Sequence, residues 1–488
     1  MAETRRRFWI CLGILVPAAF VLRLGLALRV PNIHRTDEVF QTLEPAHRLW
    51  SGWGVITWEW RDGIRSWLFP DFLAGLMRLS YQSGFGADAY LPFIAAVLSA
   101  VSLGVVVMGI VLGWRHSGLA GAVLCGILCS VWPDLVYFAP KTLNEIQAGN
   151  VLLVAAGLAS MPPPMAEWRR LCRIFAIGLL LGVVFCLRFQ LAPAMLLVLL
   201  WTGWKGGVRG WLPLLCGAAI PLLALGVSDD LAWGSPFQSV WKNFHMNFVE
   251  KRSQAYGVSP PWWFLSEEAT SWGAALLPVL LFFCAGAGAA PLLALLAIVV
   301  VLSHSIIAHK EISFIYAAVP PAIIVAGLGT ARLVLILPRL LKPAVAPRAL
   351  LAAAASLWLG VALLADMAAL KSQWHGVNDS LLILTKEAGK HPDLCGLGFY
   401  GPDFPWNSTG GYSFLNRPVP IYLLRTRASL AKAQSGVNYL LANAVLEADL
   451  PEYRRVRCAG GYCLMHHEQA CTEVPAFRIN AVLQQEGH

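Results

Sequence analysis

Apolar residues in this chain come in long runs broken by short polar stretches, without the alternation of amphipathic strands or the heptads of coiled coils. Runs approaching membrane-crossing length fall at 8–29, 89–113, 117–138, 144–160, 172–188, 190–203, 210–228, 272–288, 291–308, 314–336 and 349–369. A helix crosses the hydrocarbon layer with about 20 apolar residues, within a range of about 17–25. About eleven transmembrane helices are therefore predicted, several of them short. Three interruptions are too long to be connectors: 30–88, 229–271 and 371–488. In the first, Ile64–Tyr81 places Trp67, Phe72, Leu73, Leu76 and Leu79 near one helical face, which predicts a helix lying at the membrane surface. The second carries Trp241, Phe244, Phe248, Tyr256, Trp262 and Trp263, suited to the headgroup layer. In the third, a helix near 376–390 precedes short apolar runs at Cys395–Tyr400, Pro418–Leu424, Val437–Ala442 and Arg455–Leu464. The predicted architecture is an all-α polytopic membrane body, 1–370 including the outer loop 30–88, followed by a small exported α/β domain, 371–488.

Composition removes the alternatives. Of 488 residues, 57% are apolar and 13% charged, and mean hydropathy is +0.61; soluble domains carry about 45–50% and about 25%. The 20 Trp and 22 Phe are far more than a disordered chain contains. A net charge of +9 raises the question of a nucleic-acid partner, but the distribution of the charge answers it. With the N terminus cytoplasmic, Arg5, Arg6, Arg7, Arg115, Arg169, Arg170, Arg173, Lys205, Arg209, Arg332, Arg339, Lys342 and Arg348 all fall on the cytoplasmic side, and Glu3 and Glu167 are the only acids there. This is the positive-inside pattern, so the basic excess is an orientation signal and no nucleic-acid partner is expected. The first span reads as an uncleaved signal anchor. Cys11, Cys125, Cys129, Cys172, Cys186, Cys216 and Cys284 lie in or at the edges of spans, whereas Cys395, Cys458, Cys463 and Cys471 lie in the tail. An oxidising compartment would allow the tail up to two disulfides. Cys458 and Cys463 flank Ala459-Gly460-Gly461, a hairpin signal. No metal-ligand spacing occurs, and no metal or other cofactor is expected.

Candidate chemistry concentrates in the first outer loop. His34, Asp37, Glu38, Gln41, Glu44, His47, Glu59, Arg61, Asp62 and Arg65 are interleaved with Trp50, Trp53, Trp58 and Trp60. Carboxylates, arginines and indole faces are what a sugar needs, because it offers C–H faces for stacking and hydroxyls for hydrogen bonds. A solvated loop with an aromatic belt has the same composition. Further ionisable residues mark other outer span ends: Lys141 and Glu145, Arg188, Asp229 and Asp230, and His309-Lys310-Glu311. Such residues at membrane depth are costly and often functional; together they suggest a basic pocket for an anionic headgroup beside a carboxylate site.

The run DEVFQTLEPAHRLWSGWGVITWEWRDGIRSWLFP (37–70) resembles the first luminal loop of glycosyltransferase family 22, in the branch of the third-step mannosyltransferases of glycosylphosphatidylinositol (GPI) anchor assembly. His309-Lys310-Glu311 resembles the family's His-Lys-Glu motif and Pro140–Glu145 its Pro-Arg-Thr-Leu motif, with Lys141 where Arg is common and Ser313-Phe314 where Arg-Phe is usual. The resemblance implies the GT-C superfamily fold and an inverting transferase. This enzyme would move a sugar, mannose in the family, from a polyprenyl-phosphate donor to a hydroxyl of a glycolipid or glycan acceptor at the membrane. Asp37 would be the catalytic base, with Glu38 holding the acceptor or orienting it. Lys310, His309, Arg188 and Arg65 would bind the donor phosphate, and Glu145, Trp58, Glu59, Trp60 and Arg61 the acceptor. The expected location is an integral membrane protein acting on the periplasmic or ER-luminal face, with a bacterial inner membrane favoured. A flippase of lipid-linked glycans is the alternative reading.

Overall fold

The computed structural model describes residues 2–30, 32–85, 89–340, 346–369 and 378–487. The expected domain boundary at 370/371 and Lys342 lie outside the described residues. Contacts divide the chain into a helical unit, Met1–Arg29 with Ala95–Trp374, and a mixed unit, Val30–Ile94 with His375–His488. The outer loop 30–88, grouped with the membrane body on sequence, thus shares its unit with the C-terminal tail.

Each predicted span is helical. Among the described residues, seven helical segments are long and apolar enough to cross a membrane: Arg5–Arg29, Tyr90–Val131, Glu167–Leu187, Val208–Trp233, Trp263–Gly286, Ile312–Pro338 and Pro347–Ala369. The 42 residues of Tyr90–Val131 are two helices meeting at a break, with Ser117 at φ −141° and Gly118 at φ +58°, which is where the sequence separates two spans. A Cβ on Gly113 would stand 2.2 Å from the Gly121 carbonyl oxygen, so the two halves fold back on each other with their backbones touching. Ala192–Gly206 and Pro291–Ser305 have 15 residues each, short of a full crossing, and Asn144–Ser160 has 17, at the lower end of the range. The count of eleven spans therefore does not follow from helix length alone. The core of this unit includes Leu128, Trp132, Ile323 and Trp358.

In the mixed unit five strands form one sheet: β1 (Leu397–Tyr400), β2 (Ile421–Leu424), β3 (Tyr439–Asn443), β4 (Arg454–Ala459) and β5 (Tyr462–His466), in the order β2-β1-β3-β5-β4. β1 pairs in parallel with β2 and β3, while β5 runs antiparallel to β3 and β4. β1 and β2 are buried throughout, as parallel strands covered on both faces are. Edge strand β4 exposes Arg454, Arg455 and Arg457, charges that discourage edge-to-edge pairing. Cys458–Cys463 closes the β4–β5 hairpin, and Cys395–Cys471 is a second disulfide.

The expected surface helix is Leu68–Gln82, but its buried face is Phe69, Leu73, Met77 and Ser80, and Phe72 and Leu79 are exposed. The hydrophobic stripe seen in sequence is therefore split between interior and surface.

Candidate active site

In the mixed unit the candidate loop opens with Asp37 and Glu38 in the first turn of a helical run that continues through a wide turn, Val39–Leu43, into Glu44–Ser51. Asp37 is half-buried. Glu38 is buried and accepts a 3.0 Å hydrogen bond from the His34 N–H. Further along, Glu44 is wholly buried and accepts from the Val55 N–H (2.7 Å), the Ser413 N–H (2.6 Å) and the Ser413 hydroxyl (2.5 Å). Burial pushes its carboxyl up to about 7, against the pull of those bonds. The His47 ring lies 2.6 Å through Nδ1 from the Trp53 carbonyl, and burial lowers it to about 4, so it is neutral and donates there. Glu44 and His47 thus fasten the loop.

Trp60, expected on the acceptor sugar, is buried. Its N–H donates to the Phe40 carbonyl at 2.9 Å and its ring packs 4.3 Å from Trp67. Glu59 and Arg65, expected on acceptor and donor respectively, form an ion pair at 2.5 Å. Arg61 reaches the Leu483 carbonyl at 3.4 Å, while the adjoining backbone is latched by Asn480, which bonds Ile56 and Gly54. Trp58 is half-buried on the same short helix, Trp58–Arg61.

In the helical unit Glu145 lies in the first turn of Asn144–Ser160, where the helix dipole favours a carboxylate. Arg188 follows the last residue of Glu167–Leu187, its N–H closing on the Val184 carbonyl at 2.8 Å. The two meet at 3.6 Å (Nη1 to Oε2), and the buried Ser313 hydroxyl donates to the other Glu145 oxygen at 2.9 Å. Gly149 permits this approach, since a Cβ there would stand 2.9 Å from Tyr316 and 3.0 Å from Ala317. The Arg188 guanidinium lies 4.6 Å from the Phe314 ring centre, and its buried Nε has no hydrogen-bond partner. Phe314 also touches His309, 6.0 Å between rings. His309 Nδ1 is 3.2 Å from the Gly257 carbonyl and its Nε2 is 3.7 Å from Glu311.

Lys310, expected on the donor phosphate, is bonded to backbone. Its ammonium donates to the carbonyls of Ser259, at 2.9 Å, and Ile307, and burial lowers its pKa. It fastens the 257–259 segment. Ser313 and Phe314 stand out in sequence only as departures from the family pattern, yet they complete the Glu145–Arg188 cluster. Lys141, the other departure, lies 5.1 Å from the Tyr137 ring centre. Among the described residues no cluster of three or more His, Cys, Asp or Glu is placed to hold a metal.

The model of the Alg9-like mannosyltransferase family matches residues 14–377. The chain belongs to that family. Among its relatives, GPI mannosyltransferase 3 of Yarrowia lipolytica is 26% identical over 439 residues, 84% of this chain and 76% of that protein. GPI alpha-1,2-mannosyltransferase 3 of Danio rerio is 25% identical over 347 residues, 66% of this chain and 60% of that one. Its fold resembles that of ArnT from Cupriavidus metallidurans, crystallised with undecaprenyl phosphate, at a TM-score of 0.65 and 14% identity across 95% of this chain and 99% of ArnT. This Alg9-like protein is therefore a polytopic membrane mannosyltransferase of the GT-C fold. Both named relatives come from eukaryotes, so a bacterial inner membrane finds no support in them.

Proposed function

We propose that the protein transfers a mannosyl residue, with inversion at the anomeric carbon, from a polyprenyl-phosphate donor to a hydroxyl of a GPI-type glycolipid on the non-cytoplasmic side of its membrane. The donor class is supported by the shared fold of ArnT and its bound undecaprenyl phosphate, and the acceptor class by the names of the relatives. The observation that carries the chemical reading is the half-buried carboxylate of Asp37 at the head of a helix whose other acids are buried.

Asp37 takes the proton from the acceptor hydroxyl as that oxygen attacks the anomeric carbon. The bond from this carbon to the phosphate oxygen breaks, and the lipid phosphate leaves with the electron pair. General-base assistance of this kind contributes about 10²–10⁴-fold. Arg188 balances the charge growing on the departing phosphate, and His309 supplies a second donor. Glu145 and Ser313 hold Arg188 in place, while Glu38 orients Asp37 or holds the acceptor. Trp58 offers a face to the acceptor sugar. Lys310, Trp60 and the Glu59–Arg65 pair position the surrounding segments.

The purified protein in detergent, where no membrane gradient exists, should form mannosylated glycolipid from polyprenyl-phosphate mannose and none from a nucleotide sugar. The same product from the nucleotide sugar alone would overturn the donor assignment, and the absence of product with either would overturn the reading.

A further inference from the structure

Asn144–Ser160 and Glu167–Leu187 run antiparallel, so that Glu145 and Arg188 share one end of the pair. At the other end lies a cavity of about 340 Å³ that the reaction does not use, lined in part by Ser160, Met161, Arg170, Arg173, Thr202 and Lys205. Seventeen helical residues separate the two ends, about 25 Å at 1.5 Å per residue, most of the roughly 30 Å thickness of the hydrocarbon layer. This end carries the basic residues that the positive-inside pattern assigns to the cytoplasm.

The cations are held in place by backbone. Arg170 donates to the carbonyls of Gly206 at 2.5 Å and Lys205 at 3.5 Å, and Arg173 to those of Pro162 at 2.8 Å and Met161 at 3.4 Å. Each guanidinium thus caps carbonyls at the end of a neighbouring helix and is fixed in the cavity wall with further N–H donors remaining. The Lys205 ammonium rests 4.5 Å from the Trp201 ring centre. Arg173 is close enough to Arg170 and Arg115 to feel both charges. The two acids assigned to this side pair elsewhere, Glu167 with Arg209 and Glu3 with Arg7. Among the described residues no carboxylate pairs with Arg115, Arg170, Arg173 or Lys205. The surroundings are apolar as well as basic: Trp168, Trp204 and Val208, close in sequence to the lining residues, are 63%, 88% and 91% exposed. A free aqueous anion has no use for exposed apolar side chains beside its cations, whereas a lipid has both a phosphate for the cations and acyl carbons for the neighbouring apolar surface.

We propose that this cavity binds the headgroup of an anionic glycerophospholipid from the adjoining leaflet, with Arg170, Arg173 and Lys205 taking the phosphate oxygens. The site is separate from the one that transfers the sugar.

The test uses the full chain in phosphatidylcholine nanodiscs doped with phosphatidylglycerol, with retained anionic lipid read by native mass spectrometry. Lys205→Gln leaves both helix caps intact and is the primary variant; Arg173→Gln is the second. Each should retain phosphatidylglycerol about fivefold more weakly than wild type, the worth of one cation near a charged lipid surface, and inorganic phosphate should not displace the lipid. Equal retention by wild type and Lys205→Gln would overturn the proposal. So would displacement by inorganic phosphate, which would make this a site for a free anion.

Discussion

Glu44 in the mixed unit and Glu145 in the helical unit are both removed from water, yet they are held in opposite ways. Glu44 is bonded by neutral groups, the Ser413 hydroxyl and backbone N–H groups that include those of Val55 and Ser413, and its carboxyl rises to about 7. Glu145 receives one, from Ser313, and faces the guanidinium of Arg188. A neutral cage makes a clamp, joining the loop after the first span to a residue 369 positions away. A carboxylate opposite an arginine instead fixes the direction of a cation that still has donors to offer, which is what a leaving phosphate needs. Burial of an acid therefore does not by itself tell a clamp from a charged pair; the partner does.

Replacing Arg188 sharpens the contrast most. Arg188→Gln should lower kcat/KM for the lipid donor by about 10²–10³-fold, the usual cost of losing one donor to developing charge. Lys310→Gln, which removes an ammonium bonded to two carbonyls, should lower the melting temperature and reduce turnover less than tenfold, roughly. Initial rates across donor concentrations check both, and equal losses would erase the distinction. Glu145→Gln comes next. It should cost about tenfold in turnover, near the worth of one hydrogen bond to a charged group, with a changed donor KM that a purely structural defect would not produce.

The smallest effect is on the pH dependence of stability. Glu44 is raised from 4.5 to about 7, so its contribution is complete below about pH 4.5 and is lost as the pH climbs to about 7. His47 is lowered from 6.5 to about 4, so its contribution is complete above about pH 6.5 and is lost as the pH falls to about 4. The two slopes oppose each other in the wild type. In Glu44→Gln only the histidine slope remains, and thermal unfolding should show stability rising from about pH 4 to about 6.5. A Glu44→Gln profile parallel to that of the wild type would mean that Glu44 is not caged by neutral donors.

Much of this was legible along the chain, for definable reasons. Span positions follow from local hydropathy, and the break at Ser117–Gly118 coincides with the gap between two apolar runs. The β4–β5 hairpin and its disulfide follow from cysteines flanking a glycine pair. Asp37 and Glu38 stand out because they open an outer loop rich in carboxylates, arginines and indoles. Longer-range pairings left no such trace. Nothing near Ser413 announces that it holds Glu44, and nothing local tells Trp60, which is buried, from Trp58, which is half-buried two residues away. Lys310 reads as a phosphate ligand, and nothing near it in sequence announces its bond to the Ser259 carbonyl. Ser313 differs from the family residue, and its role depends on the close approach at Gly149.

The most direct test compares two acids of the same helical run. Single-turnover mannosyl transfer, at saturating polyprenyl-phosphate mannose, would be timed for Asp37→Asn and Glu44→Gln beside the wild type, with membrane insertion of each verified. The expected result is a rate about 10²–10⁴-fold lower for Asp37→Asn and one within a few-fold of wild type for folded Glu44→Gln. Near-normal transfer by Asp37→Asn would contradict the account, whatever the other variant does.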